Sequence, residues 1–258
     1  MLIAPVEMLI HVKGKDYRRT FTIGSVSGAR HASRDIQGTR ESQDRQIAVD
    51  GHFSYANLTN PSIFRIARYL LTQSIDFEVQ GDQTGGEGEV VCIREGDEIF
   101  ISVGSDQCDR ELDPLFPDKP KQMCPHPVAS EAWLYDDVQA HWDDLRIRSQ
   151  VVLNGVTVPL QDAALGTLVS LEYLLDMKIV KALQETMFLY CGSSNFLDSA
   201  MDIINELGLP EFTGHGVGDE FHVQLHDPVL NRTLSHWFRP TPVGDDFAER
   251  NTPSRRQG

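Results

Sequence analysis

No stretch of this sequence approaches the ~18–20 consecutive apolar residues that span a bilayer, so no transmembrane helix is expected. Cysteine is sparse. Cys92, Cys108, Cys124 and Cys191 form no CxxC pair and no zinc-ligand spacing, which argues for free thiols rather than a zinc site or a disulfide framework. Basic charge is in deficit: 23 Lys+Arg stand against 38 Asp+Glu, for a formal net charge of −15. No Lys/Arg stripe relieves that excess, so neither nucleic acid nor an anionic membrane surface is expected as a partner. There is no Gly-rich phosphate loop, no regular βαβα rhythm, no G-x-S-x-G elbow and no Ser/His/Asp order, which sets aside nucleotide-binding doubly wound folds and serine hydrolases. The opening MLIAPVEMLIHVKG lacks the basic region and small-residue cleavage site of a secretory signal, and the expected location is the cytoplasm.

What is present is a chain of 258 residues, enough for one large domain or two small ones with a sizeable core. Residues 2–12 and 17–26 read as two strands joined at Lys13-Gly14-Lys15-Asp16. Residues 27–50 are polar and rich in Arg, Ser, Gln and Asp; they read as a mobile loop or a helix held only by partner contacts, and as a candidate active-site lid. Residues 61–73 open with Pro61 at a helix N1 position and place Ile63, Ile66, Ala67, Leu70 and Leu71 on one helical face, predicting a helix. IDFEVQ, EGEVVCIRE and EIFISVG read as strands, the last two as a hairpin about a Gly-Asp turn. Residues 113–127 are a Pro-rich loop, and 128–143 suit a short helix carrying Trp133, Tyr135 and His141-Trp142. DLRIRSQVVLNGVTVPLQ reads as two strands about Asn154-Gly155, residues 164–185 and 197–207 as helical, and MFLYCG, DEFHVQLHD and TLSHWFRP as strands. The expected fold is α+β: a β-rich mixed sheet, rolled or sandwiched, with peripheral helices. The expected division is residues 1–60 as N-terminal strands and candidate lid, 61–243 as the main β-roll domain, and 244–258 as a disordered tail.

The sharpest local feature is Gly85-Gly86-Glu87-Gly88-Glu89 leading into the strand VVCI. Residues i and i+2 of a strand share a face, so Glu87 and Glu89 project two carboxylates side by side. Their repulsion calls for water, a basic partner, protonation or a cation. The next strand ends in Ser105-Asp106-Gln107-Cys108-Asp109-Arg110, and a hairpin register can bring Asp106 to the Glu pair. Three carboxylates without His or Cys suit a hard cation, Mg2+ or Mn2+; the same pattern also describes a solvated acidic hairpin edge. Arg110 and Lys121 can face an anionic substrate, Arg gripping a carboxylate in bidentate fashion, or pair on the surface with Asp109 and Glu111. His141 beside Trp142, and His222 and His226 on one strand, read as packing or surface histidines.

The ordered motifs GGEGEVV, VGSDQCDREL, KQMCPHP, HWDDLRIRS, MFLYCG and LHDPVLNRTLSHWF, spread over roughly residues 60–240, resemble the fumarylacetoacetate hydrolase-like superfamily, and most closely a branch known as a domain of unknown function. The resemblance implies a mixed β-roll, commonly a homodimer, with Glu87, Glu89 and Asp106 as metal ligands. It implies Arg110 and Lys121 as substrate-binding or polarising groups, Gln122 beside them, and a turn Cys191-Gly192-Ser193 closing over the substrate. The implied chemistry is metal-dependent cleavage of a 1,3-dicarbonyl or 2-oxo acid, a C–C hydrolysis through a metal-stabilised enolate. Family hydrolases activate water with a His–Glu pair that has no clear counterpart here. His31, Glu41 and His52 lie in the divergent 27–55 segment; Gln107 stands where a His is expected beside the substrate, and Cys108 replaces a Thr. Decarboxylation, tautomerisation and a non-catalytic metabolite-binding role therefore stay open.

Overall fold

The computed structural model describes residues 3–13, 15–51, 56, 58–183, 186–208 and 218–244. Gly14 of the first turn, His52, His215 and residues 245–258 of the tail lie outside them. The first third contains β1 (Val6–His11), β2 (Tyr17–Phe21), β3 (Ser25–Arg30), α1 (Ile36–Asp50), β4 (Ser62–Ile66), β5 (Leu71–Thr72) and β6 (Asp76–Gln80). There follow β7 (Thr84–Gly85), β8 (Gly88–Glu95), β9 (Glu98–Ser105), β10 (Cys108–Asp109), β11 (His126–Pro127) and β12 (Glu131–Leu134). The last part contains β13 (Arg146–Leu153), β14 (Val156–Ala164), α2 (Leu171–Asp176), α3 (Lys178–Lys181), β15 (Thr186–Tyr190), α4 (Asp198–Glu206), β16 (Glu220–Asp227) and β17 (Arg232–Val243). Eight strands form a mixed sheet in the order β2-β1-β12-β9-β8-β15-β3-β4, and five form a second in the order β14-β13-β16-β17-β6. This is the expected β-rich α+β architecture. Strands from before and after residue 60 share the larger sheet, where β12, β9, β8 and β15 lie between β1 and β3. Among the described residues no helix is long and apolar enough to cross a membrane.

Connectivity forces the larger sheet to roll. β2 and β3 lie six strand steps apart, about 29 Å if the sheet were flat, yet residues 22–24 join them across at most about 14 Å of chain. The rings agree: Phe21 on β2 meets Phe100 on β9 at 5.4 Å and Phe188 on β15 at 6.1 Å between centroids. The roll explains why VVCI, residues 90–93, is apolar at every position. Val91 and Ile93 face the interior of the roll with Met8, Ile10, Phe21 and Phe188. Val90 and Cys92 face outward into a second core with Ile147, Val151, Val223, Leu225 and Phe238 of the five-stranded sheet. That second sheet alternates buried and exposed positions, the pattern of a sheet with one solvated face.

Two predicted helices are absent. Residues 61–73 give β4 and a 3-10 turn at Arg68–Leu70, because Ser62–Ile66 completes an antiparallel ladder on β3, from Val26↔Ile66 to Arg30↔Ser62. Residues 128–143 give β12, which pairs with both β1 and β9 and buries Trp133, followed by 3-10 turns at Tyr135–Asp137 and Gln139–Asp144. In each case a ladder to a distant strand overrides helical spacing. The polar 27–50 segment divides into β3 and the helix α1. Asp35 caps α1 by accepting from Gly38 N at 2.9 Å, and Gly51 ends it at φ 72° in the left-handed region.

Candidate metal centre and its cleft

The β8–β9 hairpin has the register that joins the three carboxylates. Gly88 pairs with Ser105 and Glu89 with Gly104, and Asp106 N donates to Glu87 O at 3.0 Å. One carboxylate oxygen from each of Glu87, Glu89 and Asp106 lies within 4.8 Å of the other two. Glu89 shares the strand face of Val91 and Ile93, so the cluster closes one end of the roll. Glu89 and Asp106 are buried, while Glu87 reaches the surface of a cleft. Glycines make the close approach possible: a Cβ on Gly28 of β3 would sit 3.1 Å from Asp106 Oδ2.

The neighbours neutralise the cluster only in part. Lys121 Nζ, itself buried, donates to Asp106 Oδ2 at 2.5 Å. His126 Nδ1 stands 3.1 Å from Asp106 Oδ1 without hydrogen-bond alignment, and its Nε2 lies 2.7 Å from Lys121 O. Burial alone would raise Asp106; Lys121 and then His126 more than offset it and hold the carboxyl below its usual value. Glu89 goes the other way. Burial, with the charge of Asp106 adding to it, pushes its pKa well up. Glu89 Oε2 accepts from Gly192 N at 2.8 Å, but Glu89 Oε1 is buried with no hydrogen-bond partner. Glu87 Oε1 accepts from Arg110 Nη2 at 2.8 Å and its Oε2 from Ser193 Oγ at 3.1 Å. An all-oxygen donor set with a stranded buried carboxylate oxygen fits a hard divalent cation.

The turn Cys191-Gly192-Ser193 therefore reaches the cluster, through its backbone at Gly192 and its hydroxyl at Ser193. Gly192, at φ 96°, leaves no room for a Cβ, which would meet Ala32 Cβ at 2.4 Å. Cys191 itself turns inward, its thiol donating to Leu189 O. Arg110 is held by Glu87 and, at 3.7 Å, by Asp113; the expected surface partners Asp109 and Glu111 do not take it. Asp109 Oδ1 instead accepts from Glu111 N and Leu112 N. Two expected site residues are engaged elsewhere. Gln122 donates to Arg65 O and accepts from Ala67 N, clipping the chain after β4. Gln107 is buried beneath Gly86, accepting from Ser105 Oγ. The cleft is about 920 Å³ and lies between α1, β3 and the 193–196 turn, with Glu87 and Arg110 at its inner end.

Among the acid–base neighbours of the site, the sequence pattern singled out neither Arg30 nor His126 and named His31 only as a residue of the divergent segment without a match to the water-activating pair. Arg30, at the end of β3, pairs with Asp113 and donates to Cys108 Sγ at 3.1 Å. His31 follows it with φ 55°, lines the cleft, and is pushed down to about 4 by burial and then by the charge of Arg30. His126 lies in the KQMCPHP motif but carried no assigned role. The histidines set aside as packing groups behave so: His141 holds Asp227 at 3.0 Å, and Trp142 packs edge-on against Tyr135. All four cysteines are free and buried.

A family model described as a protein of unknown function, DUF2848, matches residues 54–238. The chain belongs to the DUF2848 family. No curated protein sequence matches this DUF2848 chain. Among solved structures, Cg1458 aligns with a TM-score of 0.58 at 12% identity, over 90% of this chain and 83% of that one. A hexagonal form of 2-keto-3-deoxyarabinonate dehydratase aligns at 0.58 and 13% identity, over 88% and 78%. The apo form of 2-keto-3-deoxy-D-arabinonate dehydratase aligns at 0.54 and 15% identity, over 91% and 83%. At such identities the likeness is one of fold, and that fold is the fumarylacetoacetate hydrolase-like one that the motifs resemble.

Proposed function

We propose that this chain is a divalent-metal-dependent enzyme acting on a small anionic 2-oxo acid or 1,3-dicarbonyl, with C–C bond hydrolysis through an enolate as its reaction. One observation carries the reading: the buried Glu87–Glu89–Asp106 cluster leaves Glu89 Oε1 unbonded and opens, at Glu87, into a cleft holding Arg110. In this reading Glu87, Glu89 and Asp106 hold Mg2+ or Mn2+, which when bound supplies Lewis-acid polarisation of the substrate's oxo group. Lys121 keeps Asp106 ionised. Arg110 receives the substrate carboxylate, and Ser193 and the Gly192 backbone hold the two Glu side chains in place. His31 is neutral at physiological pH and sits on the cleft wall, so it is the group available to take a proton from water or substrate. The reading includes the homodimer that the resemblance implies.

A second reading keeps the same site and changes the bond broken. The fold neighbours named as 2-keto-3-deoxyarabinonate dehydratases favour elimination of water from a hydroxylated 2-oxo acid, which needs a base and enolate stabilisation but no attacking water.

The test is a calorimetric Mn2+ titration of the native chain and of Glu89→Ala, followed by turnover of acylpyruvates and hydroxylated 2-oxo acids with the metal present. Stoichiometric binding lost in the variant, with turnover lost in His31→Ala, is expected. A folded, metal-free native chain that takes up no Mn2+ would defeat both readings.

A further inference from the structure

One buried amide of the second sheet reaches the strand that carries the glutamates. β13 and β14 pair regularly from Leu153↔Val156 to Gln150↔Pro159, then slip so that Ser149 faces Gln161 and Leu160 is the extra residue of a β-bulge. Strand alternation from Val158 and Leu160 would otherwise turn Gln161 to solvent. With the bulge, Leu160 and Gln161 are each 1% exposed. An amide turned into an apolar interior must be hydrogen-bonded there.

Gln161 is bonded through both of its groups, and its partners lie beside the carboxylates. Its Oε1 accepts from Gly88 N at 2.8 Å and from Ser149 Oγ at 2.5 Å. Its Nε2 is shared among Gly88 O at 3.3 Å, Ser194 O at 3.2 Å and Ser194 Oγ at 3.3 Å. Gly88 separates Glu87 from Glu89, and Ser194 follows Ser193, whose hydroxyl reaches Glu87. In the antiparallel β8–β15 register Tyr190 stands opposite Val91 and Cys191 N donates to Val90 O, so residue 193 would come opposite Gly88. The chain instead leaves the ladder at Gly192, whose N–H goes to Glu89 Oε2. A primary amide offers the donor and acceptor of a peptide group, and Gln161 takes both places on Gly88 that β15 leaves open. Gly88 permits this approach, since a Cβ there would lie 3.0 Å from Gln161 Oε1 and 2.8 Å from Val223 Cγ2.

We infer that Gln161 is a positioning residue of the metal centre: standing in for the missing strand, it fixes the Glu87–Gly88–Glu89 backbone against the 192–194 turn and so aims both glutamates. This rests on the metal-enzyme reading above and adds to it a residue of the second sheet that bonds to none of the three carboxylates.

The experiment is a calorimetric Mn2+ titration of the metal-free chain, with the EPR spectrum of the bound ion as a report on its ligand arrangement. Gln161→Met keeps the length of the side chain and removes both polar groups. Val158→Ala opens the same core from the same strand with no bond to Gly88 or Ser194, and thermal unfolding of the metal-free variants puts the two on one stability scale. Gln161→Met should bind Mn2+ about 10–100-fold more weakly than the native chain, the cost of removing an outer partner of a metal ligand, and with an altered EPR spectrum. Val158→Ala should keep the native affinity and spectrum. Ser149→Ala removes one bond to Gln161 and should weaken binding less, in the same direction; it decides the matter if Gln161→Met does not fold. Native affinity and spectrum in a folded Gln161→Met, or in Ser149→Ala where that variant decides, overturn the positioning role alone. An equal loss in Val158→Ala overturns it too, because the effect is then one of general stability. A folded, metal-free native chain that takes up no Mn2+ overturns the metal-enzyme reading beneath it.

Discussion

Lys121 shows how much of the centre is settled by one side chain. Its ammonium group is buried 2.5 Å from Asp106 Oδ2, and that pairing raises the Lys pKa despite burial. Removing one partner of a buried pair leaves the other charge uncompensated and costs about 3–5 kcal/mol. Lys121→Met is therefore expected to lower the unfolding free energy by that amount, read as a lower denaturant midpoint at unchanged m-value, and a variant unfolding at the native midpoint would deny the pair its structural role. At this scale the sequence was informative where geometry is local. Strand parity alone aligns Glu87 with Glu89, and a two-residue turn at Gly96-Asp97 sets the register that delivers Asp106. It was silent where a partner is far along the chain. Arg30 meets Asp113 across 83 positions and His126 meets Asp106 across 20, and neither spacing has a periodic signature. Gln122 misled for the complementary reason: adjacency to Lys121 says nothing about direction in a 3-10 turn, and its amide points back to β4.

Strands and helices were legible in proportion to how locally they are determined. The β13–β14 hairpin announces itself through Asn154-Gly155, both at positive φ, whereas α1 was legible only as one of two alternatives, a mobile loop or a helix, for the polar 27–50 segment. β4 and β12 do not announce themselves, since each exists because a distant strand offers an open edge. β17 carries a testable irregularity. Its inward positions are Leu234, His236 and Phe238, so a histidine stands where the alternation asks for an apolar group. His236 Nε2 is buried without a hydrogen bond, and burial lowers the ring's pKa to about 4. The unfolded chain binds that proton near pH 6.5, above the folded value, so protonation favours unfolding. Stability from this position is intact above pH 6.5 and is lost as pH falls toward 4, by about 2.5 kcal/mol at pH 4.5. His236→Leu should remove that share of the acid sensitivity, read as a smaller difference between urea midpoints at pH 7 and pH 4.5. An unchanged difference would mean that the ring is protonated in the folded state.

For the whole molecule, the roll and the second sheet are stabilised by apolar contacts, while the centre at the end of the roll brings three carboxylates together in a chain of net charge −15. Lys121 and Arg110 offset part of that repulsion, while burial, and after it the charge of Asp106, keeps the pKa of Glu89 raised. In the proposed reading a cation at the centre would relieve the cost of burying these carboxylates together, and linkage would make that relief visible in global stability. A ligand that binds only the folded state adds about 2.7 kcal/mol at 100 times its dissociation constant, which for a chain of this size raises Tm by roughly 5–10 °C. Mn2+ or Mg2+ should give that shift in the native protein and none in Glu89→Ala. General screening of the acidic surface is the competing cause, and it makes a different prediction. Screening acts through ionic strength, so NaCl matched to the same ionic strength would reproduce the shift and Glu89→Ala would keep it. A shift specific to the divalent ion and abolished by the variant locates the effect at the carboxylates, because Glu89 is buried and its replacement leaves the acidic surface in place.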